Sequence, residues 1–87
     1  MATEEKLGVV TDYYAKIGVA AIRLTDGDLQ VGDRIRIRGH TSDLTHTVTS
    51  IQIEHQPVQR AARGSEVALK VPERVRRRDE VYRVGAG

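Results

Sequence analysis

Cysteine, tryptophan and phenylalanine are absent from this 87-residue chain, and only two prolines and one methionine are present. The lack of cysteine excludes a disulfide framework, a zinc ribbon and a thiol nucleophile, and it suits a reducing compartment. Tyr13, Tyr14 and Tyr82 are the only aromatics, so a core has to come from Val, Ile, Leu and Ala. The longest apolar stretch, Ile17 to Ile22, falls far short of the ~20 residues that span a bilayer, so no membrane is expected as a partner. The opening Met-Ala-Thr-Glu-Glu-Lys is acidic and polar, unlike a signal peptide, and a cytoplasmic setting is expected. The length suits one domain, residues 1–87, and is small for most enzyme architectures.

What is present is charge, unevenly spread. Residues 1–33 carry three Lys/Arg against six Asp/Glu, residues 34–59 three against two, and residues 60–87 eight against four. The late cations are mostly arginine, which supplies eleven of the fourteen in the whole chain. Its planar fork suits phosphate and carboxylate better than a lysine does, although arginine is also an ordinary surface choice.

Periodicity points to strands throughout and to no helix. Arg34-Ile35-Arg36-Ile37-Arg38 alternates strictly, which turns Ile35 and Ile37 inward and lines three arginines on the other face, ~6–7 Å apart. Glu66 to Val71 alternates as well, Leu7 to Thr11 and Ile17 to Leu24 are rich in Val and Ile, and Thr45 to Ile53 is β-branched at six of nine positions. Residues 80–84 supply a closing strand. Turn residues fall between these runs: Asp26-Gly27, Gly32-Asp33, Gly39 to Asp43 and Gly64-Ser65, with Pro72 ending the fifth run. Residues 56–63 fit a loop or one turn of helix, residues 73–79 a charged connector, and residues 85–87 a frayed tail. The expected fold is all-β, a small single-domain antiparallel β-barrel of about six strands.

The order of these features resembles the second domain of the translational GTPases, the β-barrel found in elongation factor Tu. The resemblance rests on Ile17-Gly18-Val19-Ala20, on Gly27 to Gly39, on Val48 to Ile53 and on Ala61 to Leu69, and it spans about residues 8–84. It implies that Leu29 and Val31, bracketed by Gly27 and Gly32, plug a barrel of the translation-factor domain-two type. In the aminoacyl-tRNA carriers of that family a glutamate and, three positions on, a basic residue clasp the terminal adenosine. Gln52 and His55 stand at those places here, so charge is lost at the first and reduced at the second. The family's late Gly-Asp turn reads Arg78-Asp79, preceded by Arg76 and Arg77. The chain is also similar to the small barrel at the C-terminus of the collagenase-like peptidase family.

Other chemistry finds little support. There is no G-x-x-x-x-G-K-[ST] loop, so neither GTPase activity nor a bound nucleotide is expected, and no other cofactor is implied. His40, His46 and His55 are spaced six and nine residues apart without cysteine, a poor metal-ligand set. Ser42, Ser50 and Ser65 lack a nucleophile elbow, and Asp26 and Asp28 are turn residues, so no enzyme is expected.

Two function classes stay open. In the first, a stand-alone, non-catalytic translation-factor-like barrel contacts tRNA, ribosomal RNA or the ribosome through Arg34, Arg36, Arg38, Gln52, His55, Arg74, Arg76, Arg77 and Arg78. The alternative face for these arginines is solvent, cross-paired with acids such as Glu54 or Glu66. In the second, the chain is a protein-interaction module that docks on a larger enzyme, which requires an apolar surface patch. An exposed edge would also let two copies pair, so the oligomeric state is open.

Overall fold

The computed structural model describes residues 3–85, and these form ten strands without a helix, so no helix is long and apolar enough to cross a membrane. In chain order the strands are β1 (Thr3–Tyr14), β2 (Val19–Arg23), β3 (Leu29–Gln30), β4 (Arg34–Arg38), β5 (Asp43–Thr47), β6 (Ile51–Ile53), β7 (Gln56–Val58), β8 (Arg60–Ala61), β9 (Glu66–Lys70) and β10 (Glu80–Gly85). Eight of them make one antiparallel sheet in the order β5-β4-β10-β1-β2-β9-β6-β7, and β3 pairs with β8 separately. Of the expected tail, Gly85 ends β10 opposite Thr3, and residues 86–87 lie outside the described residues.

The long β1 organises this sheet because it changes partner along its length. Its first half pairs with β10 and its second half with β2, and the register shifts between Lys6 and Gly8 and again between Val10 and Asp12. A bulge adds one residue to one strand, bends it and increases its twist. At the first bulge the Leu7 carbonyl leaves the ladder and accepts the backbone N–H of Asp26 (2.9 Å) and Gly27 (3.3 Å), which closes the loop after β2. Gly8 is needed there by close approach, since a Cβ at this position would collide with the Arg23 carbonyl oxygen.

The sheet does not close into a barrel, which corrects the expectation. The run 45–53 is not one strand: it splits into β5 and β6 at residues 48–50, where Val48 turns into the core and bonds to the β3–β4 turn instead. Gly32 donates to the Val48 carbonyl and Val48 to the Asp33 carbonyl, both at 2.8 Å. β5 and β7 are thereby left as the two edges of the large sheet, with no ladder between them. The short β3–β8 pair lies outside the eight-stranded sheet, and Val31 extends it by donating to the Gln59 carbonyl (2.9 Å). Residues 56–63, unassigned by pattern, therefore hold two short strands, and the count is ten rather than about six.

The core is wholly aliphatic, as the composition requires. Leu7, Ile22, Leu24, Leu29, Ile35 and Ile37 are all buried, and Val75 anchors the connector between β9 and β10. Each such side chain contributes ~1.5–3 kcal/mol by leaving water. Tyr13, Val31, Ile53 and Val58 pack against the cluster from its margin. Gly8→Ala is expected to lower stability by about 1–3 kcal/mol, because the clash is with backbone that cannot rotate away. A denaturant titration showing an unchanged midpoint would contradict that account of the bulge.

Candidate functional site

Alternation in β4 does put Arg34, Arg36 and Arg38 on the face opposite Ile35 and Ile37, but the three are not equivalent. Arg36 is engaged on every side: its Nε and Nη2 donate to the two carboxylate oxygens of Asp43, and its Nη1 donates to Glu4, all at 2.8 Å. A bidentate pair of this kind fixes the guanidinium in direction as well as position. The Arg36 hydrogen bonds hold the Asp43 carboxyl below its ordinary range, and Asp43 and Glu4 raise the Arg36 guanidinium further above its own. The acids that pair with it are thus Asp43 and Glu4, not Glu54 or Glu66. Arg34 is exposed and has no ion pair among the described residues, while the Arg38 guanidinium lies over the Tyr82 ring, 5.3 Å from its centroid.

A second arginine, not anticipated from the sequence, ties the two ends of the chain to the β3 turn. Arg83 donates from Nη1 to Asp33 (3.0 Å) and to the Asp28 carbonyl (3.3 Å), and from Nη2 to Glu5 (3.0 Å). Asp28 in turn meets Arg60 at 2.6 Å, so β1, β3, β8 and β10 share one charge network. The signal was present: Val81 is buried, so period two puts Arg83 on the same face, where a cation needs partners.

The connector 71–79 gathers the remaining late arginines. Asp79 is buried and its Oδ2 accepts the Arg76 amide N–H (2.9 Å), which tightens the turn and turns its carboxylate inward against Gly39. The same turn holds Arg78 at φ 74°, a left-handed conformation that costs a side-chain-bearing residue ~1–2 kcal/mol. Arg77 reaches Asp12 at 3.5 Å. Arg38, His40, Arg77 and Arg78 line an open cleft of about 730 Å³ whose floor includes Val9, Val10, Thr11 and Gly39. Arg34, Arg74 and Arg76 do not line it.

Gln52 and His55 come together elsewhere. Gln52 sits in β6 between Pro57 of β7 and Ala68 of β9, and His55 follows in the β6–β7 turn, where Glu54 and His55 have φ 50° and 66°. Two successive left-handed residues are the geometry of a two-residue hairpin, which Glu-His does not advertise in a sequence as Asn-Gly does. The groove beside them, about 440 Å³, is also lined by Tyr14, Ile17, Ala21 and Val67. Tyr14 and Ile17 are 49% and 61% exposed, and they are the large hydrophobics that the described residues leave in water. Ile17, expected to begin a strand, lies instead in the turn before β2. No group of three or more His, Asp or Glu among the described residues is placed to hold a metal ion.

No family model matches the chain. It is 35% identical over 85 residues to a collagenase of Porphyromonas gingivalis, covering 94% of this chain and 20% of that protein. It is 40% identical over 78 residues to an uncharacterised protease of Methanocaldococcus jannaschii, covering 88% and 19%. The chain therefore spans about a fifth of the length of the curated relatives it matches. Among solved structures, the C-terminal domain of a Geobacillus thermoleovorans protein named as a U32 peptidase superposes with a TM-score of 0.84 at 20% identity, covering 91% of each chain. The fold is that of this C-terminal domain, and the similarity to the collagenase-like peptidase module is upheld. The likeness to the translation-factor barrel is overturned, and the support that it lent to contacts of the arginines, Gln52 and His55 with tRNA, ribosomal RNA or the ribosome goes with it. The short strands and glycine turns that suggested it are present, but the sheet stays open and the named relatives are a collagenase and a protease.

Three carboxylates, Asp28, Asp43 and Glu80, titrate below their ordinary range, held there first by hydrogen bonds from Arg60, Arg36 and Tyr82 respectively. Because their values are depressed in the folded state, the stability they add is present above the unfolded carboxylate range, ~4, and is lost as pH falls through the lower folded values. The unfolding temperature should hold level between pH 7 and 5 and drop below about pH 4, with a shallower acid limb in Arg36→Gln. Identical acid limbs in the two proteins would mean the Arg36 network contributes nothing.

Proposed function

We propose that the chain is a non-catalytic docking module that packs against the larger, catalytic portion of a collagenase-like peptidase, in the same or a separate polypeptide. The observation that carries this reading is the convergence of Tyr14 and Ile17 in one groove. Each is an apolar side chain that water disfavours, and the two form an exposed apolar strip in one groove, backed by the buried Ala21 and Val67. Gln52, Glu54, His55 and Glu66 provide the polar rim that sets orientation at such a surface.

The size relation supports the same occupant. The relatives have about four further parts in five beyond the segment matched here, and the structural neighbour is a domain of a protein named as a peptidase. The strip needs no rearrangement to be covered: Tyr14 ends β1 and Ile17 lies in the tight turn to β2, both held by the β1–β2 and β2–β9 ladders.

Ile17→Asp places a charge in the middle of the strip without touching the core. In a titration against the separately purified catalytic portion of a U32-type peptidase from the same source, the unaltered chain should bind and Ile17→Asp should bind at least ~10-fold more weakly, the loss of one well-buried apolar contact. Equal binding by the two, or none by either at tens of micromolar, would refute the docking surface.

A further inference from the structure

We propose that the cleft between β1 and the two turns at residues 39–40 and 77–79 is a carboxylate-binding site that takes an extended, glutamate- or aspartate-rich peptide segment. It lies apart from the Tyr14–Ile17 strip, shares no lining residue with it, and does not depend on what covers that strip.

Cations outnumber acids at the cleft: Arg38, Arg77 and Arg78 line it with Glu80. Glu80, the acid that lines it, is met by Lys6 (3.3 Å) and by the Tyr82 hydroxyl (2.9 Å), and Arg77 is met by Asp12 from outside the lining (3.5 Å). Asp79, next in sequence to Arg78, is buried behind Gly39 and occupied with the Arg76 amide. Arg38 and Arg78 make no ion pair among the described residues, although Arg38 stands across the ladders from Asp43 and Glu80 and feels both carboxylates, and His40 lines the cleft beside them. Arg38 is held in place by its stack on Tyr82, so its fork is oriented before any ligand arrives.

Backbone geometry makes the same point independently. Position 78 has φ 74°, which glycine adopts freely and arginine does not, so the turn would form more readily with no side chain there at all. A cation at such a strained position, beside a cleft, points to a binding role for the side chain. Gly39 keeps the facing wall bare for a different reason, the pressure of Asp79 behind it, and this leaves room for a chain to lie along the floor of Val9, Val10 and Thr11.

Ligand chemistry follows from what lines the cleft. Arginine forks accept a planar carboxylate through two parallel N–H···O bonds. The floor is aliphatic and backbone, which suits an extended peptide, and no aromatic ring lines the cleft to stack a nucleobase. The β1 edge past Val10 also has no strand partner on this side: the ladder with β10 ends at Val9–Glu80 and is followed only by the bonds between Val10 and residues 78–79.

The test is fluorescence anisotropy of a labelled hexaglutamate peptide titrated with the intact chain at low salt, with hexaglutamine as the neutral control. Hexaglutamate should bind and hexaglutamine should not. Arg78→Gly should raise the unfolding temperature while weakening hexaglutamate binding about 10-fold, the worth of one charge-assisted contact. Arg34→Gln, which removes the same charge outside the cleft, should bind as the unaltered chain does. Equal losses in the two variants, or none in Arg78→Gly, would overturn the site. A single-stranded oligonucleotide that binds more tightly than hexaglutamate with the same dependence on Arg78 would overturn the assignment of a peptide ligand.

Discussion

The bend in β1 at Leu7–Gly8 is the constraint on which the rest of the structure rests. β1 is twelve residues long and lies between β10 and β2, with Val9 belonging to both ladders. By bulging at Leu7 it serves β10 first and β2 afterwards, and the freed Leu7 carbonyl pins the loop that leads to β3. The cost falls on one position, Gly8, where the Arg23 carbonyl leaves no space for a side chain. The second half of β1 then presents the cationic cleft through Val9 to Thr11 and the apolar groove through Tyr14.

Charge is partitioned by the fold rather than spread evenly over it. Arg36 and Arg83 face carboxylates on neighbouring elements and act as structural clamps, the former across β4, β5 and β1, the latter between both chain ends and the β3 turn. Both networks are largely open to solvent, so their main effect is to fix register and orientation, with modest energy in each pair. The guanidinium groups without an ion pair among the described residues include Arg34, which stands outside the cleft, and Arg38 and Arg78, which line it.

Much of the secondary structure was legible in the sequence. Arg34 to Arg38 and Glu66 to Lys70 alternate cleanly, and both are strands with their Ile, Val and Leu inward. The turns at Gly32 and Gly64 fall where glycine was noted, both with positive φ. Less of the site could be read. Residues 45–53 look like one β-branched run because composition does not record that Val48 must leave the strand to bond the β3–β4 turn. Glu54-His55 and Arg78 occupy left-handed positions that are normally recognised by Gly or Asn, so the hairpin and the tight turn they make carry no sequence mark. The resemblance to a translation-factor barrel arose from the order of strands and glycine turns, which records a fold pattern and not a function.

By itself the sequence determined the all-β class, the aliphatic core and the inward or outward sense of the regular strands, because these depend on residue type and on a period of two. Only the tertiary structure decided that the sheet stays open, that Arg36 is consumed while Arg38 and Arg78 are free, and that Tyr14 and Ile17 meet Gln52 and His55 in one groove. Each of these depends on contacts between residues far apart in the chain, such as Glu4 with Arg36 and Glu5 with Arg83. Local pattern has no access to such contacts, since bulges and turns between the strands set which side chains meet.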